Sequence, residues 1–155
     1  MKDIEIFRNI LTKEQCSDWI SKAPKFTGSY DFNDRTVDIT NSFIVNTVKD
    51  VIEKKCNCKL TCSQAQIQLW PVGSNSNLHI HTYNNRENTD YNSLLYLNND
   101  FGGGEFITKN LIIKPEPGML TFFDGSKIYH GVNEVESKHR YTLIFWWENT
   151  LFYGE

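Results

Sequence analysis

A mainly β protein with helices in its N-terminal part, its strands forming a sandwich or jelly roll, is the fold class this sequence predicts. Three observations carry that expectation. Apolar residues recur every three to four positions in the first third of the chain, and every second position beyond residue 60. Aromatic residues, 14% of the total, gather in short alternating runs, a habit of strands. Gly- and Pro-containing turns separate those runs, with no helical pattern between them. At 155 residues the chain can bury a real core, and we expect one domain over 1–155. Its helical part should span about 1–58 and its strand-built core about 59–150.

The helices come first. In "LTKEQCSDWISKA", Thr12 stands as N-cap with Gln15 three residues on, a capping box, and Leu11 and Cys16 occupy the staple positions. Cys16, Trp19, Ile20 and Ala23 then form one apolar stripe. A second helix is expected over about Thr40–Lys55, with Ile44, Val48, Val51 and Ile52 on one face. Pro24, Gly28 and Asp31 punctuate the stretch between. From Thr61 the period becomes two. "QAQIQLW" places Ala65, Ile67 and Leu69 on one face and Gln66, Gln68 and Trp70 on the other. "YNSLLYLN", "GEFIT", "NLIIKP", "GMLTFFD", "YHGVNEV" and "RYTLIFWWE" read as further short strands, separated by "NNDFGGG", "KPEPG" and "DGSK".

Composition narrows the function classes. A net charge of −3, with acidic and basic residues scattered, gives no reason to expect a nucleic acid or an anionic membrane as partner. No apolar run approaches the roughly 18 residues that span a bilayer, and "MKDIEIFRNI" lacks the apolar centre of a signal peptide. A soluble, cytoplasmic chain is expected. Cys16, Cys56, Cys58 and Cys62 are expected to be reduced thiols, because "CNCKLTC" lacks the paired spacing of structural zinc.

The candidate chemistry lies in "NLHIH". His79 and His81 are two apart, so on a strand they share a face and can meet one ion. His130, in "YHGVNEV", is the third candidate; His139, out of phase with Arg140, reads as a surface residue. Imidazole donors suit iron, zinc, copper or nickel.

Taken in order, Trp70-x-x-Gly73, His79-x-His81, "LLYLNNDFGGGEF", "KPEPGMLTFFD", "HGV" at 130–132 and "RYTLIFWW" at 140–147 closely resemble the prolyl 4-hydroxylase-like branch of the Fe(II)/2-oxoglutarate-dependent dioxygenases. The upstream "DRT", Asp34–Thr36, resembles the family's RT/RS element, so the resemblance covers roughly residues 34–147. Each piece alone is weak; their ordered combination is specific. The resemblance implies a double-stranded β-helix (jelly roll) with a metal at one mouth, Fe(II) as cofactor and 2-oxoglutarate as cosubstrate. O2 is the oxidant and ascorbate a supporting reductant. The implied reaction is hydroxylation of a C–H bond, by the nearest branch that of a prolyl residue in a peptide or protein, with small molecules such as free proline as the other substrate class.

By position, His79 and His130 match the two histidine ligands, and Arg140, ten residues after His130, matches the residue that grips the 2-oxoglutarate C5 carboxylate. Tyr96 and Trp70 fall at cosubstrate-binding positions. The chain departs from the family where His81 replaces the Asp of His-x-Asp. His81 itself as third ligand is the favoured reading; a carboxylate such as Asp90 folding in and a water completing the site are the alternatives. Asp124 is a candidate acceptor for a histidine N–H, or a turn former ahead of Gly125. The polar stretch Asn84–Tyr91 matches a substrate-covering loop, and Gly102–Gly104 read as backbone devices. Two rival classes stand beside this one. A cupin-like metal enzyme without 2-oxoglutarate is argued against by Arg140 at the family spacing, and a non-catalytic jelly-roll binding module is the other.

Overall fold

The computed structural model describes residues 3–82 and 91–150. The chain runs β1 (Ile4–Phe7), α1 (Lys13–Ser21), a 3-10 turn (Phe32–Asp34), β2 (Thr36–Asp38), α2 (Phe43–Cys56), β3 (Leu60–Trp70), β4 (Ser76–His79), β5 (Tyr91–Tyr96), β6 (Gly102–Gly103), β7 (Phe106–Thr108), β8 (Ile112–Ile113), β9 (Leu120–Asp124), β10 (His130–Val132), β11 (Val135–Glu136) and β12 (Arg140–Asn149). The larger sheet has the order β1-β9-β5-β12-β3-β2 and the smaller β4-β10-β7-β8, while β6 pairs with β11. Neighbouring strands are antiparallel, and the architecture is the jelly roll that the periodicity predicts.

The period of two sorts the larger sheet into two faces. Ala65 and Ile67 of β3 and Leu143, Phe145 and Trp147 of β12 join one apolar cluster with Ile44, Val45, Val48 and Ile52 of α2 and Cys16 of α1. The helices therefore cover one side of the sheet. On the other side, Leu94 and Tyr96 of β5 meet Phe106, Ile113 and Phe123, with Ile144 packed against them. Arg140, Thr142, Ile144 and Trp146 alternate onto this second face, where the two sheets enclose a cavity.

α1 forms as expected, with Thr12 Oγ1 accepting from the Gln15 amide at 3.1 Å and Gln15 Oε1 from the Thr12 amide at 2.9 Å. α2 starts later than expected, because Asp38 Oδ1 accepts from both the amide and the hydroxyl of Thr40 and closes a turn there. The N-terminal part is also less purely helical than predicted. β1 and β2 are strands whose partners, β9 and β3, lie far along the chain, and four- or three-residue segments carry too little periodicity to show it. β6 is the third addition. Gly103 adopts φ +62°, and a Cβ there would lie 1.9 Å from the Glu134 carbonyl oxygen, so the β6–β11 pairing tolerates only glycine.

Packing against α2 should dominate stability. Ile52 is fully buried, and Ile52→Ala is expected to cost about 2–5 kcal/mol by urea unfolding. Phe43, 82% exposed on the same helix, should shift the midpoint little when replaced by Ala. Equal losses in the two variants would contradict this packing.

Candidate metal centre and cosubstrate pocket

His79 ends β4, His130 opens β10, and the two are directly paired across those strands. His81 lies just beyond β4, its amide donating to the Gly125 carbonyl at 2.9 Å. The three rings converge. Centroids are 4.5 Å apart for His79–His130, 4.9 Å for His81–His130 and 5.6 Å for His79–His81. One nitrogen from each lies within 4.8 Å of the others, and among the described residues this is the group of metal-ligating side chains that comes together.

The second ring nitrogen of two of them is already committed. His79 Nδ1 lies 2.7 Å from the Asn77 carbonyl oxygen and His130 Nδ1 2.7 Å from that of Ile128. A carbonyl only accepts, so each Nδ1 carries the proton and each Nε2 keeps its lone pair for a metal. Phe123, edge-on at 4.9 Å, backs the His130 ring. His81 owes its place to a missing side chain. A Cβ on Gly125 would lie 2.5 Å from His81 Nδ1 and 2.5 Å from Asn92 Nδ2. The sequence shows Gly125 only as part of a turn.

Asp124 is a turn former: Oδ1 accepts from the Ser126 amide at 2.9 Å and hydroxyl at 2.6 Å, and main-chain carbonyls fill the acceptor role for His79 and His130. His139 is half-buried rather than a plain surface residue, its Nδ1 accepting from the Val72 amide at 3.1 Å, and it stays outside the trio. Asp90 and most of the stretch read as a substrate-covering loop lie outside the described residues. The four cysteines are free thiols, and burial pushes Cys58 and Cys62 up to about 11.

Beside the histidines is a cavity of about 200 Å³, lined by Gln68, Trp70, Asn92, Arg140, Ile144 and Trp146 among others, with no Asp or Glu among its described lining residues. Arg140 is 1% exposed, yet its Nε and Nη2 have no hydrogen-bond partner. Tyr96 Oη and Thr142 Oγ1, from residues paired across β5 and β12, are likewise unsatisfied. The guanidinium carbon sits 5.3 Å from the ring centres of both Trp70 and Tyr96. Burial pulls the Arg140 guanidinium below its ordinary value and pushes the Tyr96 phenol up, so Tyr96 stays neutral near pH 7. A buried cation with unmet donors beside two hydroxyls is costly until a carboxylate arrives.

Trp70, expected at a cosubstrate-binding position, lines the cavity. Its Nε1 donates to Gln68 Oε1 at 3.0 Å, so it offers the pocket a ring face. Sequence reasoning also left Arg35, of the "DRT" element, without a task. It is buried, donating to the Leu69 carbonyl at 3.0 Å and the Tyr30 carbonyl at 3.1 Å. Stacked 4.4 Å from the Phe32 ring, it holds that exposed aromatic at the pocket wall.

A sequence profile of the family described as the 2OG-Fe(II) oxygenase superfamily matches residues 65–148, more than half the chain, including the three histidines and Arg140. The chain belongs to that superfamily. It carries that superfamily's oxygenase domain and is similar to prolyl hydroxylases. Mouse prolyl 3-hydroxylase 2 is 39% identical over 74 residues, 43% of this chain; the match spans only 10% of that relative's length. Two solved structures share the fold. The viral collagen prolyl hydroxylase of Paramecium Bursaria Chlorella virus-1, in complex with 2-oxoglutarate, superposes with a TM-score of 0.73 at 18% identity, over 95% of this chain and 96% of that one. A prolyl hydroxylase from Trichoplax adhaerens, in complex with a hypoxia inducible factor peptide, gives 0.66 at 18% identity, over 96% and 84%.

The oxygenase's residues fit both of its small partners. Three convergent imidazoles suit Fe(II) and leave coordination positions open. The unsatisfied donors at Arg140, Tyr96 and Thr142 suit a carboxylate.

Gly125→Ala should drive a methyl group into His81 and Asn92, both of which face the cavity. We expect Mn(II) affinity, measured by calorimetry, to fall at least about tenfold while the melting temperature moves by only a few degrees. Unchanged metal affinity would show that His81 is not a ligand.

Proposed function

We propose that this oxygenase hydroxylates a prolyl residue within a peptide or protein, with His79, His81 and His130 as iron ligands and Arg140 as the 2-oxoglutarate anchor. The observation that carries the reading is the buried guanidinium of Arg140 in the cavity wall, whose Nε and Nη2 have no hydrogen-bond partner among the described residues. Its planar fork matches a carboxylate with two parallel hydrogen bonds, and neutral Tyr96 and Thr142 can each add a donor. A cupin-like enzyme without 2-oxoglutarate would have no use for that arrangement.

With Fe(II) held by the histidines and 2-oxoglutarate by Arg140, O2 would be the oxidant and oxygen source for C–H hydroxylation, and 2-oxoglutarate the co-reductant that leaves as succinate and CO2. The protein supplies orientation and dryness. His79 and His130 arrive with their lone pairs aimed by main-chain carbonyls. Phe106, Val132 and Ile144 line the cavity and exclude water from it. With an imidazole at position 81 and no acidic side chain among the described lining residues, the two carboxylates of 2-oxoglutarate are the pocket's counter-charge. The peptide reading draws support from the prolyl hydroxylases among its relatives and from a cavity that is open on one side, beside exposed Phe32.

Arg140→Ala should weaken 2-oxoglutarate binding at least tenfold, about 2 kcal/mol, while Mn(II) binding persists. Equal cosubstrate affinity would remove Arg140 from its role. Turnover is tested by incubating the iron-loaded enzyme with capped proline-repeat peptides and, separately, with free L-proline. Succinate release coupled to a gain of one oxygen in the peptide is expected; coupling to free proline alone would overturn the peptide assignment and leave the oxygenase in place.

A further inference from the structure

The glutamines of β3 stand beside the histidines and Arg140 without an assigned role. Gln64, Gln66 and Gln68 share the cavity face of the larger sheet, graded from exposed through half-buried to buried as the strand approaches the pocket. Gln68 faces the cavity directly. Gln66 pairs with Ile144 and Gln64 with Trp146, so the row flanks two apolar side chains of the cavity wall.

Trp70 sets the polarity of this row. An indole N–H can only donate, so Gln68 must turn its oxygen toward Trp70, as the 3.0 Å contact shows. Its NH2 then faces the other way and donates to Gln66 Oε1 at 3.3 Å. With its oxygen engaged by Gln68, Gln66 keeps its NH2 as the donor at the end of the row. Aligned amide dipoles strengthen the donor at the free end. The acidic neighbour across the pairing, Asp38, has Oδ1 engaged by Thr40.

We propose that Gln66 is a substrate-docking residue whose carboxamide NH2 donates to a main-chain carbonyl of an extended peptide lying over Ile144 and Trp146. The proposal rests on the prolyl-peptide reading. Proline has no main-chain N–H, so a proline-rich segment offers carbonyl acceptors in excess of donors, and a groove that reads it must present donors. The row also has the right pitch: alternate β3 residues stand about 6.6–6.8 Å apart, close to the two-residue repeat of an extended peptide, about 6.2 Å in polyproline form.

Gln66→Glu inverts the polarity with little change of shape. The carboxylate still accepts from Gln68, but its outward oxygen can no longer donate. The probes are capped ten-residue repeats of Pro-Pro-Gly and of Pro-Ala, which carry no side-chain acceptor. Binding is followed by calorimetry on zinc-loaded protein with 2-oxoglutarate present, so that no turnover intervenes. Gln66→Glu should weaken peptide binding at least about tenfold and Gln66→Ala about threefold, with 2-oxoglutarate affinity and melting temperature unchanged. If the wild-type protein binds these peptides and both variants bind them equally well, the docking role falls while the peptide reading stands. If the wild-type protein binds free proline and none of the peptides, both fall together.

Discussion

The register of β12 against β3 is the constraint from which the molecule is built. All ten residues of β12 pair with ten of the eleven in β3, Ser63 being passed over at a bulge, and the two faces of that ribbon serve different purposes. Leu143, Phe145 and Trp147 go to the helices, while Arg140, Thr142, Ile144 and Trp146 go to the cavity. A slip of one residue would send the guanidinium into the apolar core and Phe145 into the site. Trp147 helps hold the register, its indole donating to Ser93 Oγ at 3.0 Å across the neighbouring strand.

Charge is the second organising term. Arg140 is buried without an acidic partner among the described residues, at a cost in stability that the rest of the core must offset. Gly104 makes room for it, since a Cβ there would lie 3.1 Å from Arg140 Cδ and 2.6 Å from the Phe101 ring. The glycine-rich run thus shapes both the β6–β11 pairing and the anion end of the pocket.

Much of this was legible in the sequence because it is periodic or ordered. The strands announced themselves by alternation, α1 by its capping box, His79 and His81 by their spacing, and His130 and Arg140 by the family resemblance. What stayed hidden depends on approaches between distant segments. β1 and β2 exist through partners far along the chain. Gly125 matters because His81 lies against it, and the commitment of Trp70 to Gln68 shows only once two side chains on one strand face are in place. The thiols of "CNCKLTC" went the other way, a conspicuous motif whose cysteines are free.

The acceptors that aim His79 and His130 are main-chain carbonyls two residues upstream of each ring. Any amino acid at positions 77 or 128 supplies the same oxygen. Ligand orientation is thereby insulated from drift in the neighbouring side chains, and a lineage can vary the rim of the pocket, and with it what the pocket accepts, without retuning the metal.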